Sequence, residues 1–309
     1  MKELWTEKYR PKKVEDYVFT SEQQKKQVQS WIDNKSIGNL LLTGTPGVGK
    51  TTLARLLLNE LGVMDADCLF INASWDNGVD FIRDTVSGFA STLPFGDFKY
   101  IILDECDHLS INAQATLRGI LEQYSNSCRF ILTGNYQNKI IPALHSRCQS
   151  FHVEKVDEVE FTTRMATILL NEGISFELEV LDDFVKSTYP DLRKCINVLQ
   201  QNTTSGVLEI PQASSVTTED YKISAIALFK NGKYSEARQL ICKQIRQEEY
   251  DDMYRFMYDN LDLWGDTDDQ KDSAILIIRN GLSKHSLVAD PEINLSATII
   301  ELERNRRGL

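Results

Sequence analysis

The segment Gly44-Thr45-Pro46-Gly47-Val48-Gly49-Lys50-Thr51 has the spacing G-x-x-x-x-G-K-[ST], a pattern suited to cradling a polyphosphate. Its glycines let successive backbone N–H groups curl around phosphate oxygens, and a helix opening at Lys50 adds the positive end of its dipole. Lys50 can reach the β and γ phosphates, the Thr51 hydroxyl can take a place on Mg²⁺, and Thr52 continues the same first turn. The alternative is a chance glycine-rich turn. The flanks oppose it, since the apolar run IGNLLLT precedes the loop and the helical-period run KTTLARLLLNELG follows it. This is the strand-loop-helix context that the motif requires.

A second group of reactive side chains follows. Tyr100-Ile-Ile-Leu-Asp104-Glu105 is an apolar run ending in two adjacent carboxylates. Behind a phosphate loop the first can hold the Mg²⁺ shell and the second can orient or deprotonate an attacking water. Asp107 and His108 read as part of the loop beyond, with no catalytic part. The run Leu132-Thr-Gly-Asn135 ends in an amide at the edge where open α/β sheets bind ligands. Asn135 could there bond both γ-phosphate and water, although Asn is also an ordinary turn residue.

These groups need a scaffold that brings strand ends together. From residue 37 to about 152, short apolar runs (37–43, 68–72, 99–104, 127–134 and 148–153) alternate with segments of helical period (50–62, 79–90 and 112–124). That alternation predicts a parallel sheet with helices on both faces, and the near-continuous apolar character of four of the five runs suits strands buried on both sides. In the last helical segment Gln114 and Arg118, four residues apart, fall on one side. Beyond residue 155 the strand signals stop. Helices are expected over 157–173, 178–189 and 191–202, then a Ser/Thr-rich stretch to residue 220, then further amphipathic helices to the end. The expected fold is α/β, a phosphate-loop domain over residues 1–155 followed by helical regions over 156–212 and 213–309.

The 309 residues carry 34 Lys plus Arg against 45 Asp plus Glu, a net charge of −11. At first sight this opposes nucleic acid as a partner. The charge is uneven, however: residues 1–150 carry a net −1 and the remainder −10, so the first half is free to focus positive potential on one face. The six cysteines, Cys68, Cys106, Cys128, Cys148, Cys195 and Cys242, are never spaced as zinc ligands and sit mostly in apolar runs. They suit a reducing compartment. The segment MKELWTEKYRPKK has no apolar core of a signal peptide and no span of eighteen apolar residues occurs, so the expectation is a soluble cytoplasmic protein without membrane contact.

In order and approximate spacing, the phosphate loop, Asp104-Glu105-Cys106-Asp107, Asn135, Ser146-Arg147-Cys148 and Pro190-Asp191-Leu192-Arg193 resemble the AAA+ ATPase subunits of sliding-clamp loaders. The leading WTEKYRPKKVEDYV is similar to the segment these subunits place against adenine, which implies adenine contacts at Tyr9, Arg10 and Pro11. The likeness covers roughly residues 1–202. It extends to replication factor C small subunits and, given the overall size, to the large subunit of a tailed-bacteriophage clamp loader, which would place the protein in a host cytoplasm. The resemblance implies an AAA+ domain, a helical lid and a collar. ATP and Mg²⁺ are the implied cofactors.

The resemblance also implies residue roles. Asn135 becomes sensor 1, Arg147 a finger inserted into a neighbouring subunit's ATP site, and Arg193 sensor 2 on the chain's own nucleotide. A lone arginine is more often a solvated charge, but the motif context outweighs that here. Implied partners are a sliding clamp, primer-template DNA, a second non-identical loader subunit, and copies of the chain in a pentameric arc held by the collars. Arg83, Gln114 and Arg118 lie on the helices that would meet DNA phosphates, Gln114 at the position that links its helix to the catalytic loop. Leu93, Phe95 and Phe98 fall in the region that would grasp the clamp. A competing function is an AAA+ machine remodelling DNA-bound or polypeptide substrates. Trp75-Asp-Asn-Gly78, the one candidate for its pore loop, reads as a turn.

Overall fold

The computed structural model describes residues 3–203, 206–211 and 221–308. Its contacts divide into two compact units, one formed by Met1–Phe161 with Pro190–Lys194 and the other by Thr162–Tyr189 with Cys195–Leu309.

The first unit begins with α1 (Trp5–Lys8) and α2 (Glu22–Asp33), then alternates strands and helices: β1 (Leu40–Thr43), α3 (Lys50–Glu60), β2 (Cys68–Asn72), α4 (Val79–Phe81), α5 (Ser87–Ala90), β3 (Lys99–Asp104), α6 (Ile111–Gln123), β4 (Cys128–Gly134), α7 (Pro142–His145) and β5 (Gln149–His152). The strands form a parallel sheet in the order β2-β3-β4-β1-β5. Two-sided burial explains the unbroken apolar runs. Leu41, Ile101, Leu103, Phe130 and Leu132 pack on one face with Val86, Leu117 and Leu121. Their neighbours Leu40, Leu42, Tyr100, Ile102 and Ile131 pack on the other with Val28, Trp31, Leu53 and Leu57.

Three departures from the sequence reading have physical reasons. Helix α2 was not expected, because its sequence EQQKKQVQSWID offers only Val28, Trp31 and Ile32 as apolar residues. It is started by the Ser21 hydroxyl, which accepts from Gln23 N, and held by Val28 and Trp31 in the core. The expected helix over 79–90 forms but contains a π-helical stretch, Ile82–Val86, between α4 and α5. The first strand starts at Leu40 rather than Ile37, which is buried ahead of it.

Helices follow: α8 (Glu158–Asn171), α9 (Leu178–Thr188), α10 (Leu192–Gln201), α11 (Tyr221–Lys230), α12 (Tyr234–Gln244), α13 (Tyr250–Asp259), α14 (Asp268–His285) and α15 (Pro291–Arg307). Gly173 closes α8 at φ +69°, with Ile174 N bonded to Leu169 O and Gly173 N to Leu170 O. The expected boundary at 212/213, and most of the Ser/Thr-rich stretch before α11, lie outside the described residues. Within the second unit Lys230 Nζ on α11 donates to Asp182 Oδ2 on α9 at 2.8 Å. Trp264, Phe229, Tyr254 and Leu295 lie at the centre of a core shared by α11 to α15. A capping box, Thr267 with Gln270, starts α14.

Gly281, in the interior of α14, marks a close approach. A Cβ there would stand 2.4 Å from Thr298 Oγ1 and 2.9 Å from Tyr254 Cε1. Gly281→Ala gains about 1 kcal/mol of helix propensity, but overpacking of this kind costs about 1–3 kcal/mol. The variant is expected to show a lower midpoint in chemical denaturation, and an unchanged or higher midpoint would refute the tight contact.

Candidate nucleotide site and its flanking surfaces

The phosphate loop leaves β1 and enters α3 at Lys50. Gly49 caps α3 with φ +96° and Gly47 has φ +76°, conformations that L side chains rarely adopt. Around the loop the chain packs closely. The Tyr17 hydroxyl donates to Val48 O at 3.4 Å, and a Cβ on Gly47 would lie 2.0 Å from Asp191 Oδ1. Asp191 also accepts from Lys194 N at 2.9 Å, capping the start of α10. One carboxylate therefore caps the helix that carries Arg193 and touches the phosphate loop, with Pro190–Lys194 inside the loop's unit. Asp191 belongs to the Pro190–Arg193 motif, whose spacing alone does not disclose this contact.

Lys50 is buried, and its Nζ donates to Gly44 O at 2.9 Å and Thr45 O at 2.7 Å. Burial lowers its ammonium from 10.5 to about 8, against the opposing pull of Asp104, Asp107, Asp191 and Glu105. A bound polyphosphate favours the charged form. The complex then binds more protons than the free protein above about pH 8, whereas well below it Lys50 is charged in both. ATP affinity is thus expected to fall as pH rises through 8. Calorimetry at about pH 8.5 in buffers of different ionisation heat should reveal proton uptake, and buffer-independent heats would contradict it.

The two carboxylates lie at the end of β3, next to β4, which in turn neighbours β1. Asp104 is buried, and its Oδ1 accepts from both Thr51 Oγ1 and Thr133 Oγ1, each at 2.6 Å. Thr133 Oγ1 also accepts from Glu105 N at 3.0 Å. Glu105 has φ +58°, a left-handed conformation that costs a non-glycine residue on the order of 1–3 kcal/mol and is common at functional sites. Thr133 holds both ends of the acidic pair, a role that sequence reading did not assign. The signal was there in part, because Leu103 is level with Leu132 across the ladder, and the next residues are Asp104 and Thr133.

Asn135 follows β4 on the same edge, and its backbone position is held by Asp107. The buried Asp107 accepts through Oδ2 from Asn135 N at 3.2 Å and Tyr136 N at 3.1 Å. The acidic segment thus links the two strand ends. Through these bonds Asp107 positions the amide residue. Upstream, Arg10 pairs with Glu7 at 2.8 Å, and Val14 N bonds Glu60 Oε1 at the end of α3. The segment containing Tyr9, Arg10 and Pro11 therefore runs into residues anchored on α3 and the phosphate loop.

Two expectations need correction. Gln114, grouped with the DNA-facing residues, is 1% exposed. Its Nε2 donates to Leu109 O at 3.1 Å and Lys139 O at 3.0 Å, and its Oε1 accepts from Ile141 N at 2.9 Å. An amide so engaged joins α6 to the loops on either side instead of reaching a phosphate. Arg118, one turn on, is exposed, as is Arg83, which pairs loosely with Asp80 at 3.6 Å. The second correction is Phe98, which packs against the core under the Arg129 guanidinium. Leu93 and Phe95 do protrude, 87% and 77% exposed. Their loop is pinned by the buried Asp67, which accepts from Phe95 N and Gly96 N and pairs with Lys99 at 3.8 Å. Trp75 lies in a turn, as read.

Arg147 follows α7. Its guanidinium meets Glu122 on α6 through Nε and Nη2, while Nη1 donates to Ala143 O at 2.9 Å and Ser146 Oγ at 3.1 Å. Among the described residues no cluster of three or more metal-ligating side chains occurs, and no helix is long and apolar enough to cross a membrane.

Residues 40–154 match the family described as "ATPase family associated with various cellular activities (AAA)". Over 253 residues the chain is 37% identical to a replication factor C small subunit of Methanococcus vannielii, covering 79% of each chain. It is 34% identical to that of Methanocella arvoryzae over 76% of each, and 35% identical to that of Archaeoglobus fulgidus over 77% of each. Among solved structures, a RuvB variant of Thermotoga maritima superposes with a TM-score of 0.56 over 92% of this chain and 90% of that one, at 14% identity. That likeness concerns the fold.

Proposed function

Because the chain belongs to the AAA ATPases and, among them, to the replication factor C small subunits, we propose that it is the ATP-hydrolysing subunit of a sliding-clamp loader. It opens the DNA polymerase clamp and places it on primer-template DNA, and hydrolysis releases both. The observation that carries this reading is the convergence at one sheet edge of Lys50, Thr51, Asp104 and Glu105, joined by the Thr51–Asp104 hydrogen bond.

ATP binds with its phosphates in the loop Gly44–Thr51, where Lys50 and the first backbone amides of α3 draw charge from the β and γ phosphates. Thr51 and Asp104 supply two hard oxygen donors, few enough to suit Mg²⁺ beside phosphate oxygens, and the ion when bound neutralises charge on those phosphates. Glu105 takes the proton of the attacking water, and Asn135 orients that water and the γ-phosphate. Arg193, carried to the loop's unit by Asp191, senses the chain's own nucleotide. Tyr9, Arg10 and Pro11 cover the adenine. Arg147 acts in trans on a neighbouring subunit's ATP, so the active unit contains several copies of the chain and a non-identical partner in a pentameric arc.

Residues 156–212 serve as the lid and 213–309 as the collar that holds the arc together. Arg83 and Arg118 meet DNA phosphates, a salt-sensitive, shape-directed contact. The isolated chain, with its net charge of −11, binds DNA weakly, and repetition around the arc supplies affinity. Leu93 and Phe95, held out by Asp67, are the apolar anchors for the clamp. The narrower kinship is with the large subunit of a tailed-bacteriophage loader, acting in the host cytoplasm.

The test is ATP hydrolysis by the assembled loader with clamp and primer-template DNA added singly and together. Synergistic stimulation is expected. Stimulation by duplex or by a protein substrate alone would favour a remodelling machine.

A further inference from the structure

Every nitrogen of the Arg147 guanidinium is engaged within its own chain. Nε and Nη2 share one oxygen of Glu122, and Nη1 is held by Ala143 O and Ser146 Oγ. Carboxylate and phosphate present the same oxygen geometry to this fork of donors, so Glu122 competes for the N–H groups that a neighbour's γ-phosphate would need. The pair is open to solvent, with side-chain exposures of 33% for Arg147 and 53% for Glu122. Such pairs are weak and readily exchanged.

The carrier of Glu122 is what gives the contact its interest. It stands in the last turn of α6, two turns after Gln114 and one after Arg118. Gln114 ties the start of this helix to Lys139 and Ile141, immediately ahead of α7. The segment bearing Arg147 is thus attached to α6 at two places, with the exposed Arg118 between them.

We propose that Glu122 is a positioning residue for the trans reaction: an internal counter-anion that parks the Arg147 guanidinium on its own subunit until a neighbour's γ-phosphate displaces it. The proposal rests on the reading of Arg147 as the trans-acting group. A neighbour's phosphate that is not yet aligned cannot compete with Glu122, so the restraint acts most in a loader that DNA and clamp have not engaged.

The experiment compares loaders assembled with the wild-type chain, Glu122→Gln, Arg147→Ala and the double variant, measuring ATP hydrolysis with and without primer-template DNA and clamp. Glu122→Gln keeps the size and removes the charge. It is expected to raise the DNA-free rate about two- to fivefold, the scale of an exposed ion pair, to leave the fully stimulated rate unchanged, and to have no effect once Arg147 is alanine. If Arg147→Ala abolishes hydrolysis while Glu122→Gln leaves the DNA-free rate unchanged or lowers it, the parking role alone is overturned. An acceleration that persists in the double variant overturns it as well. Unchanged hydrolysis by Arg147→Ala overturns the trans reading and the parking role together.

Discussion

Arg147→Ala is expected to lower ATP turnover by the assembled loader by on the order of 10³ to 10⁵, with nucleotide binding by the isolated chain unaltered. A guanidinium supplies charge to the phosphoryl group as it leaves, where no residue of the substrate-bound subunit need replace it. Within its own chain Arg147 contacts Glu122, Ala143 and Ser146, none of them in the phosphate loop, so its removal leaves the loop intact. Mixing experiments sharpen the result. Loaders containing both wild-type and Arg147→Ala copies should lose activity at the site facing the altered copy. Slower hydrolysis by the isolated monomer without Arg147, or an unchanged rate in the assembled loader, would show that the residue does not act in trans.

Glu105→Gln is expected to cut turnover by about 10²- to 10⁴-fold, the usual contribution of a positioned general base, while ATP binding stays nearly as it was. The Thr51–Asp104 bond and the Lys50 bonds to Gly44 and Thr45 do not involve the Glu105 side chain. The Glu105 backbone, held at φ +58° by Thr133, does not depend on the side-chain charge. Such a variant should accumulate loader, clamp and DNA in one ATP-bound complex. Rapid turnover by Glu105→Gln would remove the residue from its assignment as water activator.

Much of this site could be read from residue order because its parts are local. The bounds of β2 and β3, Cys68–Asn72 and Lys99–Asp104, coincide with the apolar runs read from the sequence; β3 is buried along its whole length, which leaves no ambiguity of period, whereas β2 is a partly exposed edge strand. The glycine-rich loop likewise carries its own context. What escaped detection depends on neighbours distant in sequence. Thr133 matters because β4 lies beside β3, Asp191 because it comes against Gly47, and Asp107 because it bonds the amides after β4. Gln114 shows the converse. Its helical spacing with Arg118 places the two on one side of α6, yet the loops that cover the start of the helix bury Gln114 and leave Arg118 exposed. The π-helical stretch around Arg83 is a shift in backbone hydrogen bonding, which side-chain period does not record.

Net charge is another case where position matters more than total. The balance of −11 would argue against a nucleic-acid partner if it were evenly distributed. With the acidic excess concentrated after residue 150, the sheet unit retains exposed Arg83 and Arg118 in near-neutral surroundings. A charge reversal at both should weaken DNA stimulation most visibly at moderate salt, where each released counterion gains less free energy and binding is no longer saturated.

Loading of a ring onto DNA by the ATP binding and hydrolysis of this chain can be followed directly. The assembled loader is incubated with a labelled clamp and closed circular primed DNA, and DNA-bound clamp is then separated by gel filtration. Clamp is expected to be retained on the circle only with ATP, to be lost when the circle is linearised, and to be absent with Lys50→Ala. Retention that is independent of ATP, or that survives linearisation, would contradict ATP-driven loading.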